Sequence, residues 1–168
     1  MGELEVGDWF GKAIVDAGTT MLTEPFVHDF VRANIWHLRG RDADLLVDTG
    51  MGIRPLAPEI DTPAGKPLIV VATHIHLDHV GSLHEFPLRM GPKMSAAQFD
   101  GMDDAVTYAY MFHNLDGAVS KLPAPDWKYR SWPSIKHEKA SAPWLQFTVA
   151  SISDTGNGIT PRLSRCFR

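Results

Sequence analysis

Cysteine is almost missing from this chain: Cys166 is the one thiol among 168 residues, so no disulfide can form within it. A lone thiol fits a reducing compartment, and the cytoplasm is the expected location. No uninterrupted apolar run approaches the ~20 residues that cross a bilayer, and no membrane partner is expected. The N-terminus alternates Glu3, Glu5 and Asp8 with apolar residues and lacks the basic-then-apolar pattern of a secretory signal. Excess positive charge is lacking too. The net charge is -4 and the pI about 6.0, which argues against a broad nucleic-acid surface. There is no repeat and no low-complexity tract.

What is present fits one soluble globular domain, with 44% hydrophobic residues available for a core. Charge is unevenly spread: residues 1–127 carry 9 Lys+Arg against 18 Asp+Glu, and residues 128–168 carry 7 against 2. Three serines precede residue 128 and six follow it. The expected organisation is therefore a domain over 1–127 and an atypical basic, serine-rich tail over 128–168.

Along the chain, Phe10 to Thr23 reads as a hairpin or edge-strand pair around Asp16-Ala17-Gly18, closed by Thr23-Glu24-Pro25. Ala33–Leu38 and Asp44–Val47 read as strands separated by the turn Gly40-Arg41-Asp42. Asp48-Thr49-Gly50-Met51-Gly52 reads as a tight loop whose two glycines allow close backbone approach. Arg54–Ile60 suggests a short helix with its prolines in the first turn. Leu68–Ala72 is apolar throughout and predicts a buried strand. Ser82 and Glu85 are spaced like a capping box. Helices are expected from Ser95 and over Asp103–Leu115, an irregular connector around Pro123, Pro125 and Pro133, and a strand within Trp144–Val149. Strands, a loop and then helices predict an α/β layered arrangement with a mixed sheet.

The stretch that carries chemistry is Thr73-His74-Ile75-His76-Leu77-Asp78-His79-Val80-Gly81, directly after the apolar strand. A chance H-x-H-x-D-H at this composition is expected on the order of once in a thousand such chains, so scattered histidines do not account for it. Imidazoles and a carboxylate are the donors a borderline metal such as zinc prefers. His74 and His76 point the same way on extended backbone and can reach one metal, while Asp78 and His79 lie past the bend. His28, His37, His84 and His113 are isolated and read as packing or surface residues. The tryptophans and methionines read as core and rim.

At these residues the chain resembles the metallo-β-lactamase superfamily, whose signature is an H-x-H-x-D-H loop after a core strand. The resemblance extends upstream to Asp44–Gly50 (D-L-L-V-D-T-G) and Arg32–Trp36, and spans roughly residues 10 to 125. It implies the N-terminal portion of an αβ/βα sandwich, with the site at one edge between two sheets. It also implies His74 and His76 on a first metal, Asp78 and His79 on a second, and Asp48 steadying the loop. Two zinc ions would make hydroxide available at neutral pH to attack an ester, thioester, lactone or lactam carbonyl of a small molecule. Asp78 would orient the nucleophile or take its proton. A mononuclear iron oxygenase also occurs in this superfamily, which leaves iron open.

The three further ligands that the family carries C-terminally have no matching motif. No Gly-His-Ser or Gly-His-Thr occurs, and His137 and Asp154 are the nearest candidates. Two other expectations therefore stand beside the hydrolase: a truncated or frame-shifted, non-catalytic metal-binding remnant, and a nuclease-type phosphodiesterase, which the acidic N-terminal three-quarters disfavour.

Overall fold

A computed structural model of the chain describes residues 2–92, 111–112, 114–128 and 145–147. Among them, eight strands form one mixed sheet whose spatial order follows the chain. They are β1 (Glu5–Val6), β2 (Gly11–Asp16), β3 (Thr19–Thr23), β4 (Ile35–Leu38), β5 (Asp44–Val47), β6 (Leu68–Val71), β7 (Arg89–Pro92) and β8 (Leu145–Phe147). From β1 to β5 neighbours are antiparallel, and from β5 to β8 they are parallel.

The antiparallel half follows from short polar turns. Asp16 Oδ1 accepts a hydrogen bond from Gly18 N at 2.8 Å, which closes the β2–β3 hairpin. Asp44 does the same work between β4 and β5 from inside: its buried carboxylate accepts from Gly40 N at 3.1 Å and meets Lys66 Nζ at 2.7 Å and His37 Nε2 at 3.3 Å. His37 is thus a buried packing residue, 3% exposed.

The parallel half needs longer connections, because a strand must return to the same end before running alongside its neighbour. The β5–β6 connection holds the loop from Asp48 and a 3-10 turn at Ala57–Glu59. The β6–β7 connection holds the histidine stretch, the single-turn helix α1 (Leu77–Val80) and a second 3-10 turn at Leu83–Glu85. The core lies where both connections fold back: Leu46, Met51, Leu56, Val70, Val80 and Leu83 are essentially inaccessible.

Two local expectations are corrected. Arg54–Ile60 forms only the 3-10 turn, with Pro58 at its start. Ser82 precedes the second turn but makes no capping hydrogen bond, and its hydroxyl is buried without a hydrogen-bond partner. The cause is that Glu85 reaches across instead of back. Its carboxylate accepts from Leu56 N at 2.9 Å and Ala57 N at 2.8 Å, satisfying the N-terminal amides of the other turn.

The predicted strands at Ala33–Leu38, Asp44–Val47, Leu68–Ala72 and Trp144–Val149 contain β4, β5, β6 and β8. Neither β1 nor β7 was expected. The predicted helix from Ser95 lies outside the described residues, as does most of Asp103–Leu115, of which Met111 and Phe112 are helical. The 114–128 segment is irregular, as its prolines predict, and is tied to the β3–β4 connection by Ser120 N donating to Phe26 O at 2.8 Å and His28 N to Ala118 O at 3.0 Å. Among the described residues no helix is long and apolar enough to cross a membrane.

Candidate metal centre

Strand register builds this site. Val47 of β5 lies beside Val71 of β6, so the first residues past each strand, Asp48 and Ala72, emerge together at the carboxyl ends of two parallel strands. Crevices at such ends are where open α/β sheets place ligands. Asp48 N donates to Val71 O at 2.8 Å, which continues the ladder one step into the loop.

Asp48 then departs from regular geometry, with φ of +62°, the one described non-glycine residue in the left-handed region. Such backbone is uncommon for a side-chain-bearing residue, least so for Asp and Asn. Here it turns the carboxylate onto the histidine stretch. Oδ1 accepts from Thr73 N at 2.7 Å, Thr73 Oγ1 lies 2.9 Å from both carboxylate oxygens, and Oδ2 lies 2.8 Å from His79 Nδ1.

The two loops are also joined through backbone. Thr49 N and Thr49 Oγ1 both donate to His79 O, at 2.9 and 3.0 Å, and Gly81 N donates to Gly50 O at 2.8 Å. A Cβ on Gly81 would fall 2.1 Å from Met51 C, and one on Gly52, where φ is +71°, would fall 2.5 Å from Gly81 C. Glycine at both positions is what lets the chains touch.

His74, His76, Asp78 and His79 are consequently brought together. The His74 ring centroid is 4.4 Å from that of His76 and 4.0 Å from that of His79. Asp78 Oδ2 lies 3.2 Å from His79 Nε2. Burial pulls the His79 pKa down, but hydrogen bonds and charge from Asp48 and Asp78 outweigh it and raise the value to about 9. Burial and the neighbouring His79 and His76 hold the His74 pKa below its usual value. Burial alone would push the Asp78 carboxyl up, yet hydrogen bonding and charge from His79 hold it below the usual range.

The donor set fits zinc in kind: imidazole nitrogens and a carboxylate, with one histidine oriented through its second nitrogen by a buried carboxylate. It does so pairwise. Among the described residues no group of three or more His, Cys, Asp or Glu side chains is placed to hold one ion. His137 and Asp154 lie outside the described residues.

Beside the cluster opens a cleft of about 200 Å³, where His76 and Asp78 meet an apolar wall of Phe30, Val31, Met51, Leu77, Met111 and Phe112. Sequence reasoning had no means of finding this wall, because its residues come from four separated segments. Glu24 escaped it as well. This carboxylate is 1% exposed and accepts from Trp9 Nε1 at 2.9 Å and Met51 N at 2.6 Å. Burial, with Asp78's charge adding, raises its pKa to about 7 against the lowering effect of those two bonds.

Residues 28–93 match the family model described as the metallo-beta-lactamase superfamily, and it is over this N-terminal portion that the chain is similar to that superfamily. Its curated relatives include the protein named acyl-coenzyme A thioesterase MBLAC2. The Bos taurus form is 30% identical over 137 residues, covering 74% of this chain and 48% of the relative. The Gallus gallus form is 34% identical over 135 residues, covering 73% and 47%. The chain thus spans about half the length of the curated relatives it matches. Among solved structures, a metallo-β-lactamase from Erythrobacter litoralis aligns with a TM-score of 0.46 and 17% identity, over 57% of this chain and 47% of that one.

Proposed function

We propose that the chain is a metal-dependent hydrolase whose substrate is a small-molecule thioester. The observation that carries this reading is the His79 imidazole: Asp48 engages its Nδ1 at 2.8 Å, which orients Nε2 toward the cluster formed with His74 and Asp78. A histidine steered in this way is a prepared ligand. His74 and His76 would hold one zinc ion, and Asp78 and His79 a second. When bound, zinc supplies hydroxide near neutral pH and polarises a carbonyl oxygen.

The remaining work falls to the chain's own groups. Asp78, held ionised beside His79 and lining the cleft, orients the attacking water and accepts its proton. The wall around Met51, Leu77 and Phe112 excludes water and takes the apolar part of an acyl group. The thioester, in preference to an ester, lactone or lactam, is supported by the activity named for the curated relatives. The single cysteine favours the cytoplasm as the working compartment.

Elemental analysis of purified protein, paired with hydrolysis of an acyl-coenzyme A reporter, tests the reading. Two equivalents of zinc and turnover abolished by His76→Ala are expected. Less than one weakly held equivalent together with no turnover would overturn it, leaving a non-catalytic metal-binding remnant.

A further inference from the structure

Glu24 takes no part in the chemistry above, yet it is the most completely buried acidic side chain near the site. It stands at the end of β3, 27 residues before Met51, whose amide it holds. Both of its neighbours are donors, the Trp9 indole N–H and the Met51 N–H, so each oxygen must accept. The loop backbone rests directly on this group: a Cβ on Gly50 would lie 2.6 Å from Glu24 Oε2. Only glycine, here at φ of +66°, permits that approach. The same loop reaches the histidines through Asp48, Thr49 and Gly50, which bond His79 Nδ1, His79 O and Gly81 N.

We infer that Glu24 is a positioning residue for the site: by gripping Met51 N from beneath, it fixes the loop from Asp48 to Gly52 and, through Asp48, the orientation of the His79 imidazole. Met51 also lines the cleft, so the same grip sets one wall of it. Burying a carboxylate is costly unless it is both hydrogen-bonded and paired with a cation. Glu24 carries that cost, visible in its raised pKa, at a place where an apolar residue would otherwise serve.

The test uses a Trp9→Phe background, which removes the second donor and leaves the Met51 amide as the group Glu24 must satisfy. In that background Glu24→Gln retains one acceptor of the right length, and Glu24→Met retains none. Two readouts separate positioning from packing. The first is the ¹H–¹⁵N signal of the His79 Nδ1 proton in the zinc-free chain, whose downfield shift and protection from exchange report its hydrogen bond to Asp48. The second is zinc affinity by chelator competition. W9F and W9F/E24Q should keep the His79 signature, whereas W9F/E24M should lose it and bind zinc about tenfold to a hundredfold more weakly. Equal signatures and affinities in W9F/E24Q and W9F/E24M would overturn the inference. Should W9F/E24M fail to fold, Glu24→Asp, one methylene too short for Met51 N, serves in the same comparison. The zinc readout rests on the proposed function and the ring signature does not. A wild-type chain that binds no zinc would defeat that function while leaving Glu24 to be judged on His79 alone.

Discussion

Replacing Gly81 by alanine should destabilise the protein, although its backbone conformation alone predicts the reverse. Gly81 has φ of -57° and ψ of -44°, ordinary right-handed helical values. In open space alanine at such a position gains stability, by about 0.4–1 kcal/mol, because the unfolded chain loses freedom. Here the new Cβ would lie 2.1 Å from Met51 C, 2.2 Å from Met51 O and 2.4 Å from Gly52 N. All three are backbone atoms, so no side chain can swing aside.

Relief requires the two loops to part, which sacrifices the Gly81 N to Gly50 O bond of 2.8 Å. Overpacking costs about 1–3 kcal/mol and the lost hydrogen bond about 1 kcal/mol. The net expectation is a loss of about 3 kcal/mol, or a melting point about 6–12 °C lower for a chain of this size. Gly65→Ala is the control. Its φ is +81° and nothing lies within 4 Å, so it carries a conformational cost without a contact cost, about 1–2 kcal/mol. Thermal and urea melts of both variants, with zinc affinity measured alongside, make the comparison. Gly81→Ala should also weaken zinc, because it pries apart the loops that join Asp48 to His79, and Gly65→Ala should not. A Gly81→Ala protein as stable as wild type, or more so, would refute the close approach of the loops.

Two further outcomes are expected. Asp48→Asn tolerates the φ of +62° but cannot accept from Thr73 and His79 with both side-chain ends, so zinc affinity should fall about tenfold to a hundredfold in chelator competition; unchanged affinity would remove Asp48 from the site. Lys66→Met should destabilise by roughly 3 kcal/mol, since it leaves the buried Asp44 carboxylate without its cation. Burial raises the Asp44 pKa, but Lys66, Gly40 and His37 together hold it below the usual value. With the folded value depressed, Asp44's contribution is present above the unfolded pKa and lost as pH falls through the folded one. The difference between wild type and Lys66→Met in urea melts should therefore be full at pH 7 and shrink below about pH 4. A difference independent of pH would count against the ion pair.

The order of strands in the sheet matches their order in the chain, which is why so much of the fold was readable. Where each strand pairs with the next in sequence, local signals such as Asp16-Ala17-Gly18 or Gly40-Arg41-Asp42 locate the elements without knowledge of distant contacts. The missed strands have weak local signals. β1 is two residues long, and β7 contains Pro92 and Gly91, which read as breakers; β7 is a strand because β6 lies beside it.

The histidine stretch was legible for a similar reason: His74, His76, Asp78 and His79 are held within six residues, and local spacing alone brings them near one another. Chemistry of that kind resides in side-chain type and short separation. Which nitrogen of His79 is left for a ligand does not. That depends on Asp48, 31 residues away, and on a positive φ that no pattern announces. The Asp48 loop depends in turn on Glu24 beneath it and on two glycines where the backbones touch. Sequence determined the candidate donors and their strand, because those are local properties. Tertiary structure decided their orientation and the wall of the cleft, because burial, register and backbone contact exist only once distant segments meet.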